Sequence, residues 1–260
     1  MNKEPAGRGE RHAWLRLLVE RVNPGVIAEF GCGTGAVLET LHASFPQSTI
    51  IGVDKSEERL REVVHKRLAR VIPILSDISQ RSFMPGSFDT ILFVGSLHEV
   101  FSCLGKENVE RSLEMGYRVL RSGGVALIQD FLKPGGKKAQ LTCRNKGVEE
   151  RFLRFVREFR GRKVKAERME GGFLVDIADG VEFISKYRSS TEEDWEEEMA
   201  ETHFFFTQDE YKDVAEQIGF SVEETRGLTK SPEWWSEVSR DLVFEPKSAY
   251  RWVHLVLRKS

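Results

Sequence analysis

A doubly wound α/β fold is the architecture that this sequence of 260 residues predicts. Three observations carry it. Between about residues 26 and 130, short apolar runs alternate with helix-patterned stretches, the signature of βαβ units around a parallel sheet. A glycine-rich turn, Gly31-Cys32-Gly33-Thr34-Gly35, follows the first of those runs. From about residue 207 the rhythm returns for one helix and two strands. Together these imply a seven-stranded, mostly parallel sheet interrupted by a long insertion.

An opening helix at about 12–22 carries Leu15, Leu18, Val19 and Val22 at core spacing. It stops before Asn23-Pro24, because the residue preceding a proline is pushed out of helical geometry. Strands are expected at 26–30, 49–53, 71–75, 88–94 and 125–129. Between the second and third, Leu60, Val63, Val64 and Leu68 share a helical face. Ser56 is placed to cap that helix, with Glu57 and Glu58 in its electropositive first turn.

Past Asp130 the rhythm breaks for about seventy residues. Here the pattern predicts a small cap. Val148, Phe152, Phe155, Val156 and Phe159 form the apolar face of an amphipathic helix, with Arg151, Arg154 and Arg157 off that face. Segments 163–168 and 173–177, around Gly171-Gly172, read as a hairpin, and 181–187 as a third strand. The core resumes with a capping box at Thr207 to Glu210, then Tyr211, Val214, Ala215 and Ile218 on one face and Gly219 as the stop. The last strands fall at 220–224 and 251–257. Their connection carries Trp234-Trp235, a candidate contact patch. Residues 1–131 and 204–260 are thus expected to form one core domain, and 132–203 its cap.

Composition narrows the class further. At 40% hydrophobic and 31% charged, with 17 Phe and 5 Trp spread along the chain, a packed core is expected and disorder is excluded. No run approaches the eighteen or so apolar residues that a membrane helix needs, and the first residues lack the apolar core of a secretory signal. A cytoplasmic location is the expectation. Three widely spaced cysteines, Cys32, Cys103 and Cys143, fit neither a disulfide framework nor paired zinc ligands. The carboxylates and histidines show no ligand spacing either, so no metal site is expected.

Chemistry enters at the glycine loop. Glycines after a strand let the backbone turn sharply and bring free helix N-terminal amides close to a ligand. Asp54 follows at the end of the second strand, where a carboxylate suits the two hydroxyls of a ribose. The loop alone leaves the cofactor open. With Ala36 it also satisfies the dinucleotide pattern G-x-G-x-x-A. Asp54 and Asp77 could each serve simply as helix caps.

The flanking residues tip this balance. Glu29 stands two positions before the first glycine, and Asp77-Ile78 lies just past the third strand. Phe88 to Val94 forms a fourth-strand motif followed by Leu97-His98-Glu99, and Tyr117 to Gly124 leads into the fifth strand. In this order the motifs resemble those of the class I S-adenosylmethionine-dependent methyltransferases, over roughly residues 24–130 and 204–258. The resemblance implies an enzyme of the small-molecule type, with S-adenosylmethionine as cofactor. It also implies cofactor contacts from Glu29, Gly31, Gly33, Gly35, Asp54, Lys55, Asp77, Ile78 and Gly95. Asp54 would hold the ribose, and Asp77 with Ile78 the adenine.

His98, just beyond the fourth strand, is the candidate general base, since an imidazole titrates near neutrality. Orienting the loop is its bland alternative. Glu99 and Asp130 border the same crevice, and His203 stands where the insertion re-enters the core. By position, Arg11 or His12 would reach the methionine carboxylate. Asp89 reads as structural.

The insertion splits its charge. Residues 133–168 hold thirteen Lys or Arg against four acids, a local net of +9, whereas 192–201 hold seven acids and no base. Two functions compete for it. In one, the cap encloses a small acceptor, with Phe131, Tyr187, Trp195 and Phe205 as walls. In the other, the basic segment tracks nucleic-acid phosphates. Against the second stands a chain that is slightly acidic overall, with a net charge of -2. A third reading is a non-catalytic subunit of the same fold. Such a chain would often have lost its loop glycines or the acid at 54, and this one keeps both. The sequence leaves the oligomeric state open.

Overall fold

The computed structural model describes residues 8–78, 83–245 and 247–260, with the backbone alone for 8–12. In chain order the first elements are α1 (Arg8–Val19), β1 (Val26–Phe30), α2 (Ala36–Ser44), β2 (Thr49–Asp54), α3 (Glu57–His65), β3 (Val71–Leu75) and β4 (Phe88–Val94). Then come α4 (Leu97–Leu104), α5 (Lys106–Val119), β5 (Leu120–Leu132), β6 (Lys138–Cys143), α6 (Lys146–Glu158), β7 (Ala166–Met169) and β8 (Gly172–Asp176). The remainder is α7 (Ile177–Lys186), α8 (Glu192–Ala200), α9 (Gln208–Ile218), β9 (Phe220–Thr229), α10 (Pro232–Asp241), β10 (Leu242–Phe244) and β11 (Arg251–Lys259). Two compact units divide the chain, residues 11–130, 208–227 and 253–260 in one, and 1–10, 131–207 and 228–252 in the other.

The first unit is built on a seven-stranded sheet in the order β3-β2-β1-β4-β5-β11-β9. Its β1 lies parallel to both β2 and β4, so the chain reverses its direction of travel across the sheet at that strand pair. Such a switch point opens a crevice at the carboxyl ends of the strands. Ser56 caps α3 as its sequence context suggests, its hydroxyl accepting from the amide of Arg59 at 3.2 Å. Asp89 is structural, accepting from the Val26 amide and from Arg121 at 2.7 Å each. The fifth strand is longer than the apolar run alone, because Leu120 already pairs with Phe88. The glycine turn at 123–124 is taken up in a register shift before Val125.

His254 on β11 is buried inside this unit, only 1% exposed. Gln129 donates its amide to His254 Nδ1 at 3.1 Å, and the ring proton therefore sits on Nε2. Burial lowers its pKa from 6.5 to about 4, against a smaller upward pull from Glu224. Between those pH values the unfolded chain binds the proton that the folded chain refuses, so stability rises with pH across this window. It is fully present above pH 6.5 and lost as pH falls through about 4. Urea unfolding at pH 7.5 and pH 4.5 should differ by up to about 3 kcal/mol from this group, and His254→Gln should remove that component of the slope. An unchanged slope in the variant would assign the acid sensitivity elsewhere.

The second unit has its own sheet, β10-β6-β8-β7, and its own aromatic core. The hairpin expected around Gly171-Gly172 is present as antiparallel β7 and β8. The third strand expected at 181–187 is instead helix α7. Ile177, Val181 and Ile184 recur at helical spacing, but Gly180, Glu182 and Phe183 are buried as well. The polar stripe of α7, Asp179, Glu182 and Lys186, is buried in ion pairs with Arg162 and Glu198, so the polar positions mark no solvent-facing side. Residues 228–252, which the sequence grouped with the core domain, pack here because β10 pairs antiparallel with β6. Trp234 and Trp235 do not form an outward contact patch. Trp235 is buried, and Trp234 packs against it at 4.9 Å between ring centres and against Tyr250 at 5.1 Å.

The basic and acidic blocks of this unit are joined by ion pairs. On α6, Phe152 and Phe155 face inward against Phe173 and Phe183, and Arg154 on its other side pairs with Glu158 and Glu192 at 2.7 Å each. Arg160 reaches Glu196 at 2.9 Å, and Lys138 pairs with Glu167. Trp195 is fully buried beneath Arg151 and Arg154, whose guanidinium carbons lie 4.7 and 5.0 Å from its ring centre. Its indole N–H donates to Glu158 at 2.8 Å, and the Tyr187 hydroxyl donates to Asp241 at 2.9 Å. These two rings are therefore core and not the pocket walls that the sequence suggested.

Candidate active site

The glycine loop leaves β1 beside β2, and the Val53 carbonyl accepts from the amides of Gly31 at 2.7 Å and Cys32 at 3.0 Å. Gly31 has φ +82, and a Cβ there would stand 2.4 Å from the side chain of Ser96. No other residue fits. Ser96 in turn donates to the Phe30 carbonyl at 2.8 Å, which ties the end of β1 to the turn after β4. Gly33, also at positive φ, meets nothing within 4 Å along its Cβ direction. Its backbone thus opens onto free space, as a cradle for a ligand requires.

Asp54, nearly buried at the end of β2, holds this loop from below. Its Oδ2 accepts from the Gly33 amide and its Oδ1 from the Ser56 amide, each at 2.8 Å. One carboxylate thus fixes both the glycine loop and the entry to α3. Each oxygen keeps a second lone pair for a further donor.

A cleft of about 440 Å³, including its open mouth, runs along these strand ends. Of the residues singled out in the sequence, it brings together Gly31, Asp54, Lys55, Asp77 and Ile78. Glu29 is buried at the end of β1 and Gly33 turns beneath Asp54, neither of them lining the cleft. Gly35 starts α2 at φ +83 and packs closely on Val63 of α3, while Gly95 makes the turn after β4, its amide donating to Gln129 at 2.8 Å. The sequence reading missed the opposite wall. Ser96 and, on α4, Val100, Cys103 and Leu104 line it with Glu99. Their signal was there, since 100, 103 and 104 recur at helical spacing beside His98.

His98 sits in the first turn of α4, buried and outside the cleft lining. Its Nδ1 is 2.8 Å from Asp130 Oδ1. Cys32 offers no nucleophile, because burial, with the Glu29 and Asp54 carboxylates alongside, pushes its thiol far up. Arg11 and His12 have side chains outside the described residues.

His203, in the other unit, is a satisfied core histidine. Its ring stacks on Phe131 at 4.3 Å, Nδ1 lies 2.9 Å from the Ser185 hydroxyl, and Glu198 lies 3.4 Å from Nε2.

Residues 28–128 match the family described as "Methyltransferase domain". Over that stretch the chain is similar to S-adenosylmethionine-dependent methyltransferase domains. It is similar to a ubiquinone/menaquinone biosynthesis C-methyltransferase of Desulfotalea psychrophila, 25% identical over 130 residues, which are 48% of this chain and 50% of that protein. The chain thus spans about half the length of that curated relative. Among solved structures, a methyltransferase from Mesorhizobium loti superposes with a TM-score of 0.60 at 16% identity, covering 97% of this chain and 99% of that one. Geranyl diphosphate C-methyltransferase from Streptomyces coelicolor A3(2), solved with Mg2+, geranyl diphosphate and S-adenosyl-L-homocysteine, gives 0.59 at 12% identity, covering 96% and 79%. At these identities the structural likeness speaks for the fold.

The methyltransferase cleft fits its cofactor on its own geometry. The glycine turn at Gly31, the anchored Asp54 carboxylate and an apolar wall from Ile78, Val100 and Leu104 suit an adenosyl group. Among the described residues no helix is long and apolar enough to cross a membrane.

Proposed function

We propose that this methyltransferase moves a methyl group from S-adenosylmethionine to an oxygen or nitrogen nucleophile of a small molecule. The carrying observation is the cleft in which Gly31, Asp54 and Asp77 converge at the strand ends of β1, β2 and β3. Glycine backbone at Gly31 and Gly33 admits the methionine part and ribose, Asp54 accepts from the ribose hydroxyls, and Asp77 with Ile78 holds the adenine. S-adenosylmethionine, when bound, supplies a methyl group already activated on a sulfonium. The protein's task is then to orient the acceptor and, where the nucleophile carries a proton, to remove it. His98 is the base in this reading.

A small acceptor is supported by the pairing of the basic segment 133–168. Arg154, Arg160, Arg168 and Lys138 each pair with a carboxylate of their own unit, which reduces the positive charge that segment can offer to phosphates. The relatives named above support it too, since geranyl diphosphate is a small molecule. Two of them are named for methylation at carbon, so carbon acids belong in the acceptor trials beside phenols, acids and amines.

Calorimetric titration with S-adenosylmethionine, S-adenosylhomocysteine and NADPH, alongside a salt series of RNA binding, tests the reading. Micromolar binding of the adenosyl ligands alone supports it. Binding of the dinucleotide in their place would make the chain a reductase, and strong, salt-sensitive RNA binding would transfer the acceptor role to nucleic acid. With an acceptor in hand, His98→Ala should lower turnover about a hundredfold, the usual contribution of a positioned base. Unchanged turnover would remove His98 from the chemistry.

A further inference from the structure

We propose that Asp130 is a positioning residue whose two oxygens divide the work, one holding the His98 ring in its Nδ1–H tautomer and the other pinning the start of α4. The inference rests on the reading of His98 as the base. Asp130 is fully buried on β5. Its Oδ1 stands 2.8 Å from His98 Nδ1. Its Oδ2 accepts from the backbone amides of Leu97 at 2.8 Å and His98 at 3.2 Å, the first orphan donors of the helix.

The tautomer follows from donor arithmetic. A carboxylate only accepts, so a neutral ring facing it carries its proton on Nδ1 and its lone pair on Nε2. The charge of Asp130 is felt nearby by Tyr211, whose phenol is pushed well up by burial first and by Asp130 second. The second oxygen matters to the cleft as well. The helix it pins is the one that brings Glu99, Val100, Cys103 and Leu104 to the cofactor wall. One side chain therefore anchors both the candidate base and one side of the cofactor site.

An amide in its place cannot do both. The single oxygen of Asn can satisfy the helix amides, which turns its NH2 toward Nδ1. The ring must then accept there and move its proton to Nε2, where it can no longer take one from an acceptor.

Nitrogen-15 NMR of the imidazole rings in the full chain reads this directly, with the His98 signal assigned by its loss in His98→Gln. At a pH where the ring is neutral, wild-type His98 is expected to show a protonated Nδ1 and an unprotonated Nε2, and Asp130→Asn the reverse. Calorimetry with S-adenosylhomocysteine should show affinity within about threefold of wild type in Asp130→Asn, less than 1 kcal/mol, because α4 stays pinned. A wild-type ring protonated on Nε2 overturns the proposal without any variant. So does a folded Asp130→Asn that keeps the wild-type tautomer, and a larger affinity loss overturns the division between the two oxygens. These readouts are independent of turnover, so they separate this inference from the assignment of His98 as base.

Discussion

Lys186→Met is expected to destabilise the unit of residues 131–207 and 228–252 by about 3 kcal/mol. Lys186 is 1% exposed and Glu182 0%, one turn apart on α7. The ammonium lies 3.4 Å from Glu182 and 3.0 Å from Glu198. Burial by itself would raise the Glu182 carboxyl. Lys186, His203 and Arg162 together overcome this and hold it below the usual carboxylate range. Glu182 also accepts from the backbone amides of His203 at 2.9 Å and Phe204 at 3.5 Å, so its charge organises the chain that follows α8. Removing the lysine takes away the buried cation beside that charge and leaves Arg162 at 3.4 Å as its remaining arginine partner, and undercompensating a buried charge costs more than a surface pair contributes. Denaturant unfolding measures the loss, and the double variant Lys186→Met, Glu182→Gln should recover at least about half of it. Equal instability of single and double variants would show that the methionine fails by packing alone.

Asp54→Ala is expected to weaken S-adenosylhomocysteine binding at least tenfold, or about 1.4 kcal/mol. The carboxylate is an anchor twice over. In the proposed reading it offers charge-assisted acceptors to the ribose, and it holds the Gly33 and Ser56 amides at 2.8 Å each. Alanine removes both, so the loop loses its shape along with the ligand's partner. Asp54→Asn keeps one acceptor and should fall between the two. Calorimetry, with circular dichroism to establish that the variants are folded, decides it. Full affinity in folded Asp54→Ala would remove the ribose assignment.

Much of the cofactor side was legible because its signals are local. A glycine turn directly after a strand, a serine cap before Glu57 and Glu58, and a carboxylate at a strand end are each readable from residues within a few positions. The opposite wall was harder. Val100, Cys103 and Leu104 face the cleft because of how α4 is rotated, and the first amides of that helix are held by Asp130, thirty-odd positions away in sequence. The insertion was least legible. Its helix α7 buries even its polar side, Asp179, Glu182 and Lys186, and Trp195 and Tyr187, bulky enough to suggest pocket walls, are consumed by partners on other elements.

The sequence by itself therefore determined the α/β class, the strand positions of the core, the glycine loop and the acids at 54 and 77, since hydrophobic period and turn chemistry act over one element at a time. Only the tertiary structure decided that Arg154 and Arg160 of the basic block pair with Glu192 and Glu196 of the acidic one, that residues 228–252 join the second sheet through β10 and β6, and that Asp130 grips His98. Those outcomes depend on long-range pairs of charges, strands and hydrogen-bonding groups, and no local pattern specifies which partner a buried polar group will find.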